Sequence, residues 1–155
     1  MSRSSFVCGT YMCLILCLAA NALAQEPNEK YLTASDMEKA TGLKGISLVP
    51  RGSVAGAGGD LNFTDSSGEL ILMVQFTDAR SYAGFKAKYA KGTAAGIGDE
   101  AVMGSIVPGL AENLLAFRKG AHCVVLTAFA DFVNQRVYLT VDRLTALGRL
   151  IASRL

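Results

Sequence analysis

The chain has 155 residues, with 15 basic and 13 acidic side chains and 51% hydrophobic residues. This composition suits a compact globular domain and excludes an intrinsically disordered chain, because it holds enough apolar side chains to build a core. The net charge of +2 is small, and charges of both signs are spread along the chain. A dedicated nucleic-acid binder instead clusters Lys and Arg to neutralise several phosphates, so this class is not expected.

The first 24 residues have the pattern of a cleavable secretory signal peptide. Arg3 gives a basic start, an apolar run extends from Phe6 to Ala20, and Ala22 and Ala24 supply the small side chains that signal peptidase needs. The mature chain then begins at Gln25. An uncleaved anchor is the alternative, but the run is shorter than the roughly 20 strongly apolar residues of a spanning helix. We expect a periplasmic or secreted protein, from a bacterial source, without a membrane span after cleavage.

Removal of residues 1–24 from the 155 leaves 131 residues, which suits one domain with a sizeable core. The expected organisation is a signal peptide at 1–24, a polar lead-in at 25–32 and a single domain at 33–155. Cys8, Cys13 and Cys17 leave with the signal peptide, and none follows the small residue that a lipoprotein signal needs. Only Cys123 remains, so no intramolecular disulfide is possible.

Capping residues predict a first helix over about 34–41. Thr33 and Ser35 each offer an N-cap, with Asp36 and Glu38 as the respective capping-box partners three residues later. Gly42 is a natural stop, because glycine tolerates the left-handed backbone at a helix end.

Three strands are predicted next, at 46–49, 60–64 and 69–76. The last two form a hairpin around Asp65-Ser66-Ser67-Gly68, whose residues suit a turn. The segment 51–59 holds four glycines and predicts an exposed, mobile loop. Residues 70–74 are all apolar, which indicates a central strand covered on both faces.

The second predicted helix begins at Asp78 as N-cap and ends at Gly92. Tyr82, Phe85 and Tyr89 share one face of it at helical spacing. Core packing is the simpler explanation of these aromatic residues, and a ligand pocket is the alternative.

Strands are also predicted at 101–107, 111–118 and 122–129, the last two joined at Lys119-Gly120, before a final helix from Thr140. Its buried stripe is Leu144, Leu147, Ile151 and Leu155. The fold class is therefore α+β, an antiparallel sheet with helices packed on it, in the order helix, three strands, helix, three strands, helix. The two similar halves raise the possibility of an internal duplication.

The segment Gly96-Ile97-Gly98-Asp99-Glu100-Ala101 formally fits the G-x-G-x-x-G/A pattern of dinucleotide-binding turns. That pattern works where a strand delivers the glycines to the N-terminus of a helix, whose amides hold a pyrophosphate. Here a predicted helix comes before the segment and a predicted strand follows it. A tight loop entering a strand is the preferred interpretation, and no cofactor is expected.

Asp99 and Glu100 are the weak candidates for ligand contact, and a general acid/base pair is a further hypothesis for them. Adjacent residues on a strand point to opposite faces, so a solvated turn is the simpler interpretation.

Cys123 and His122 are the only mature cysteine and the only histidine of the chain, which raises the hypothesis of a thiol nucleophile with an imidazole base. If residues 121–129 form a strand, the two side chains alternate across the sheet and cannot meet. Cys123 is then a buried core residue. A lone exposed histidine is a poor transition-metal site, so no metal centre is predicted.

Two surface features remain. Asn62-Phe63-Thr64 is an N-glycosylation sequon, which has meaning only in a eukaryotic secretory pathway. Arg143, Arg149 and Arg154 on the last helix form a solvated face or, alternatively, a site for an acidic partner.

The opening 32–36, the turn 96–101, the hairpin 118–120 and the terminal helix are similar to parts of small exported bacterial α+β domains of uncharacterised function. These include extracellular sensor-like domains and related lipoproteins of actinobacteria. The resemblance covers most of the mature chain by pattern, although the missing lipobox departs from the lipoprotein members. It implies a binding or sensing module without a defined ligand, and it assigns no functional residue.

The sequence therefore predicts a non-catalytic exported domain that binds a small ligand, an envelope component or a protein partner. A small extracytoplasmic hydrolase is one alternative, and a structural subunit of an envelope complex is another. An enzyme needs polar groups that converge in a cleft, so a cleft around Asp99, Glu100 or Cys123 would favour the hydrolase. Ligand identity and oligomeric state do not follow from these residues.

Overall fold

A computed structural model describes residues 28–106, 113–131 and 136–155 of the protein. The predicted signal peptide, with its cleavage residues Ala22, Ala24 and Gln25, lies outside this part. The helices are α1 (Ala34–Thr41), α2 (Ser81–Tyr89) and α3 (Val141–Arg154). The strands are β1 (Ser47–Val49), β2 (Leu61–Thr64), β3 (Leu70–Asp78), β4 (Ala90–Thr93), β5 (Glu100–Gly104), β6 (Leu114–Lys119), β7 (His122–Ala128), β8 (Ala130–Asp131) and β9 (Arg136–Val137).

Seven strands form one antiparallel sheet in the order β1-β2-β3-β7-β6-β5-β4, and β8 pairs with β9 separately. The fold class is α+β, as predicted. Two strand meanders meet at the centre of the sheet, where β3 pairs with β7 from Leu72 opposite Ala128 to Asp78 opposite His122.

The sheet has two covered faces, which follow from the alternation of side chains along each strand. One face, here called the α1/α3 face, packs against both terminal helices through residues that include Phe63, Leu72, Phe117 and Leu126. The other, the α2 face, packs against α2 through Val102, Leu114, Ala116, Cys123 and Val125.

The predicted ends of α1 are confirmed. The Thr33 hydroxyl accepts from the Asp36 N–H at 3.1 Å, and the Asp36 carboxylate accepts from the Thr33 N–H at 3.0 Å, which completes the capping box. Thr33 rather than Ser35 is the N-cap. Gly42 ends the helix with a left-handed φ of 71°.

An ion pair joins α1 to α3 across 118 residues of sequence. The Arg154 guanidinium donates to both oxygens of Asp36, at 2.6 and 3.0 Å, and also to the Tyr31 carbonyl at 3.2 Å. The Asp36 side chain is only 15% exposed. The Arg154 guanidinium, followed by the Thr33 hydrogen bonds, holds the pKa of the Asp36 carboxyl well below its usual range although burial opposes this effect.

The helix α3 begins with Thr140 as its N-cap, as predicted, and lies close to the sheet at Gly148. A Cβ atom at Gly148 would stand 2.4 Å from a methyl carbon of Leu115, so a larger residue here would require the Leu115 side chain to move. Of the predicted stripe, Leu144, Leu147 and Ile151 are fully buried and Leu155 is partly buried.

Two predicted boundaries of α2 are wrong. The helix begins at Ser81 rather than directly after Asp78, although the Asp78 carboxylate still accepts from the N–H groups of Arg80 at 2.9 Å and Ser81 at 3.3 Å. It ends at Tyr89 rather than at Gly92, because residues 90–93 extend and pair with β5 as the edge strand β4. The described chain therefore has strands β4, β8 and β9 that the sequence patterns did not predict.

The remaining predicted strands are confirmed within one to three residues, apart from positions 107 and 111–112, which lie outside the described part. Both predicted hairpin turns are present. In the first, the Asp65 carboxylate accepts from the N–H groups of Ser67 and Glu69. In the second, Gly120 has a left-handed φ of 55°.

Candidate functional site

A cavity of about 310 Å³ opens beside the N-terminal half of α2. We call it the β3 cavity, because its floor comes from that strand; its lining is Arg51, Asp60, Gln75, Phe76, Thr77, Ser81 and Phe85. The volume lies at the lower end of the range of about 300–1,000 Å³ that small-molecule sites have.

The floor is polar because β3 changes character along its length. The β3–β7 register places Gln75 opposite Val125 and Thr77 opposite Cys123, so both polar side chains lie on the α2 face. The helix α2 packs mainly against β6 on that face and lines the cavity with Ser81 and Phe85. Gln75 and Thr77 are therefore left half-buried.

One wall is an ion pair across the base of the glycine-rich loop. Arg51 donates from Nη2 to Asp60 Oδ1 at 2.9 Å and from Nε to the Gly59 carbonyl at 3.4 Å. The other oxygen of Asp60 accepts from the Phe76 N–H at 2.7 Å, so the carboxylate is fixed to β3. The loop 51–59 is a loop as predicted but not wholly exposed, since Ala57 and Gly59 are buried.

The opposite wall carries two hydroxyl groups. Thr77 Oγ1 and Ser81 Oγ lie 3.1 Å apart, within hydrogen-bond distance. The Arg80 guanidinium, followed by the N–H groups of Arg80 and Ser81, lowers the pKa of the Asp78 carboxyl, which is next to Thr77 in the chain. The start of α2 is thus already capped by its own chain.

The polar groups of the β3 cavity retain hydrogen-bonding capacity. Within the described residues, no protein group hydrogen-bonds the Gln75 side-chain amide. A hydroxyl can both donate and accept, and a guanidinium has five N–H donors, so Thr77, Ser81 and Arg51 also have positions to spare. The cavity can therefore offer donors and acceptors to one ligand.

Asp99 and Glu100, the weak ligand-contact candidates, lie outside the β3 cavity. Asp99 accepts from the Gly120 N–H at 2.9 Å and pairs with Arg118 at 3.5 Å, while Glu100 pairs with Lys86. Each carboxylate is occupied by a separate basic partner. The two therefore do not converge as an acid/base pair.

The formal dinucleotide pattern at 96–101 is a turn between two strands. Gly96 and Gly98 have left-handed φ values of 74° and 59°, and a Cβ atom at Gly98 would lie 2.4 Å from the Arg118 carbonyl oxygen. The segment leads from β4 into β5, so no helix N-terminus is present to hold a pyrophosphate.

Cys123 and His122 lie on opposite faces of β7, as the strand geometry predicts. His122 is exposed, whereas Cys123 is fully buried in the α2 face. Burial, and secondarily the charge of Asp78, raise the pKa of the Cys123 thiol to about 11. The thiolate is the nucleophilic form, so this cysteine is unsuited to the proposed thiol chemistry.

We therefore predict that Cys123 reacts with Ellman's reagent at pH 8 at least about a hundredfold more slowly in the native protein than in denatured protein. Stopped-flow absorbance with and without guanidinium chloride measures both rates. Comparable rates would contradict the buried, protonated thiol.

The three aromatic residues of α2 do not all have the same role, because one packs in the core and another lines the cavity. Tyr82 is buried in the core of the α2 face, Tyr89 packs half-exposed against Phe85, and Phe85 lines the cavity. The Tyr82 hydroxyl is buried and has no hydrogen-bond partner in the described part of the chain. Burial, followed by the nearby Glu100 charge, raises the Tyr82 pKa to about 12.

An unpartnered buried hydroxyl costs free energy, so Tyr82→Phe should not destabilise the protein. We expect the free energy of unfolding to rise by up to about 1 kcal/mol, measured by urea denaturation. Tyr89→Phe, at a half-exposed position, is the control and should change it by less than about 0.5 kcal/mol. A loss above 1 kcal/mol in Tyr82→Phe would mean that the hydroxyl has a partner.

The sequon asparagine is inaccessible in this fold. Asn62 is fully buried, and its side-chain amide donates to the Gly59 carbonyl at 3.0 Å and accepts from the Gly59 N–H at 3.1 Å. A glycan on Asn62 would have to displace the loop that covers it.

The arginines of α3 make contacts within the chain. Arg143 donates to the Tyr138 carbonyl and Arg149 to the Ala95 carbonyl, both at 3.4 Å, while Arg154 pairs with Asp36. Their partners favour a structural role over an acidic-partner site.

The described residues contain no group of three or more His, Cys, Asp or Glu side chains that could hold a metal ion. None of their helices has the length and apolar character to cross a membrane.

Comparisons of the chain with protein-family models, with curated proteins and with solved structures find no significant match.

Proposed function

We propose that the protein is an exported, non-catalytic domain that binds a small polar ligand in the β3 cavity. The observation that carries this proposal is the set of polar groups with spare hydrogen-bonding capacity, namely the exposed Arg51 and the half-buried Thr77, Ser81 and, above all, Gln75. Pockets with a few convergent polar groups are the usual location of small-molecule sites. If the ligand belongs to an envelope component or a protein partner, a side chain or a terminal unit of that molecule would enter the cavity and contact the same groups.

Binding is favoured over the hydrolase alternative by the chemistry of the lining. A hydroxyl nucleophile needs a base within hydrogen-bond reach, but the neighbour of Ser81 Oγ is another hydroxyl, that of Thr77. The one carboxylate of the lining, Asp60, is held by Arg51 and by the Phe76 N–H. The residues Asp99, Glu100 and Cys123, which an enzyme would have placed in the cleft, do not line it.

The binding proposal is tested by NMR, with a chemically diverse fragment library titrated into isotope-labelled protein. We expect saturable shifts of the amides of Gln75, Thr77 and Ser81 with at least one fragment. Thr77→Val should weaken that fragment at least tenfold, whereas Thr93→Val on the exposed edge strand β4 is the matched control and should leave binding unchanged. If no fragment shifts the cavity amides, the proposal is wrong.

Export is part of the proposal and rests on the signal-peptide pattern. Protein recovered from the envelope or the medium should begin at Gln25, as read by N-terminal sequencing or intact mass. A Met1 start on envelope material would support the anchored alternative. In-cell cross-linking followed by pull-down tests the structural-subunit alternative, which predicts a stoichiometric partner.

The internal duplication belongs with these proposals. Two antiparallel meanders, β1-β2-β3 and β5-β6-β7, meet at β3 and β7, which supports a common origin of the two halves. The preceding helices α1 and α2, however, pack on opposite faces of the sheet. If the two halves arose by duplication, one of these two helices must afterwards have moved to the other face of the sheet.

A further inference from the structure

The charges of the β3 cavity cancel within the protein. Arg51 and Asp60 form the only ion pair among its lining residues, with 2.9 Å between their nearest atoms, and the remaining lining side chains are neutral. An anionic ligand that recruited Arg51 would leave Asp60 beside it, and a cationic ligand that recruited Asp60 would meet Arg51. The site therefore disfavours the binding of ligands that carry a net charge.

Donors and acceptors lie side by side on this neutral surface. Gln75 offers an amide N–H₂ and a carbonyl oxygen, and the Thr77 and Ser81 hydroxyls offer both functions 3.1 Å apart. Asp60 and Arg51 add acceptor and donor positions that their mutual pair leaves unused. Hydroxyl groups on adjacent carbons have the same mixed character at similar spacing, so they can satisfy these groups without bringing a charge.

The last wall is apolar. Phe85 is half-buried beside the polar floor, and its ring lines the cavity from α2. A sugar ring has hydroxyls at its edge and C–H groups on its faces, so it can bond to Gln75 and Thr77 while a face covers the aromatic ring. The volume of about 310 Å³ admits one ring rather than an extended chain.

We infer that the ligand of the β3 cavity is a neutral sugar ring, either free or as the terminal unit of a glycan. This inference rests on the proposed binding function and adds the chemical class of the ligand. It follows from the juxtaposition of a balanced ion pair, mixed hydrogen-bonding groups and one aromatic wall.

The experiment titrates purified protein with glucose, galactose, mannose and N-acetylglucosamine, followed by NMR of the cavity amides. We expect at least one of these sugars to bind saturably, and a charged counterpart, glucuronic acid or glucose 6-phosphate, to bind at least tenfold more weakly. An oligosaccharide that ends in the bound sugar distinguishes the two sources of the ligand, which are a free sugar and a glycan. Equal affinity indicates a free sugar, and at least tenfold tighter binding indicates a glycan.

Two variants locate the site. Ser81→Ala removes one hydroxyl at the start of α2 and Thr77→Val removes the other from β3; each should weaken sugar binding at least fivefold, while Thr93→Val should not. Circular dichroism confirms that each variant is folded. If one variant does not fold, the effect of the other on sugar binding still tests the location of the site.

The inference is wrong if none of the sugars shifts the cavity amides, or if a charged counterpart binds as tightly as its neutral sugar. Its failure is distinguishable from failure of the binding proposal. If fragments of another chemistry occupy the cavity while sugars do not, the binding function stands and the ligand class is wrong. If neither fragments nor sugars bind, both are wrong.

Discussion

Gly104→Ala lowers the free energy of unfolding by about 3 kcal/mol or more, because β5 passes too close to the end of α2 to admit a side chain. A Cβ atom at Gly104 would stand 1.9 Å from the Tyr89 carbonyl oxygen and 2.7 Å from its carbon. Both atoms are backbone, so no side-chain rotation relieves the contact, and α2 or β4 must move. Urea denaturation followed by circular dichroism measures the loss.

Gly92→Ala, on the neighbouring strand β4, is the matched control. A Cβ atom at Gly92 meets nothing within 4 Å, so this substitution should change the free energy of unfolding by less than about 1 kcal/mol. A Gly104→Ala protein as stable as Gly92→Ala would show that α2 does not end against β5 as described.

Asp36→Ala is expected to lower the free energy of unfolding by about 2–3 kcal/mol at pH 7. The substitution removes half of the capping box of α1 and leaves the Arg154 guanidinium without its carboxylate. Glu69→Ala, at an exposed carboxylate, is the control and should cost less than about 0.5 kcal/mol. Equal losses in the two variants would contradict the assigned role of the ion pair.

The same ion pair makes stability depend on pH. The pKa of Asp36 is lower in the folded protein than in the unfolded chain, so its contribution is full above the unfolded value of about 4 and is lost as the pH falls toward the folded value. Asp36→Asn cannot titrate. The stability difference between wild type and Asp36→Asn should therefore be constant from pH 6 to 7 and shrink steadily below about pH 4; a difference independent of pH would contradict the lowered pKa.

Local chemistry explains what could be predicted from the sequence. Thr33, Asp36 and Gly42 fix both ends of α1 through hydrogen bonds and a left-handed turn that involve only neighbouring residues. Lys119-Gly120 likewise determines the β6–β7 hairpin. Such signals can be read without knowledge of the rest of the fold, and the order of helices and strands correctly predicted the α+β class.

The predicted end of α2 was wrong because a contact with another part of the fold, rather than the local sequence, determines where the helix ends. Residues 90–93 read Ala-Lys-Gly-Thr, without apolar alternation, and every one of them is exposed. They form β4 because the edge of β5 offers backbone partners, and no local residue pattern reports that edge. The helix therefore ends three residues before Gly92, the residue predicted to close it.

The β3 cavity was missed for a similar reason. Arg51 stands at the start of the glycine-rich loop and Asp60 directly after its last glycine, and only the fold reveals that they form a pair beside β3. One signal was present in the sequence: Gln75 ends the continuous apolar run of β3 after Val74. Gln75 is half-buried on the α2 face, which is where the β3 cavity opens.

The link between α1 and α3 has a kinetic consequence. Hairpins such as β6–β7 join neighbouring residues and can form early, but the Asp36–Arg154 contact closes a span of 118 residues. Because long-range closures are slow, we expect folding on the millisecond-to-second scale of topologically complex domains. Until α3 docks, the part of the α1/α3 face that it covers on β6, with Leu115 and Phe117, stays exposed. The period before that docking is when the protein is most exposed to aggregation and proteolysis.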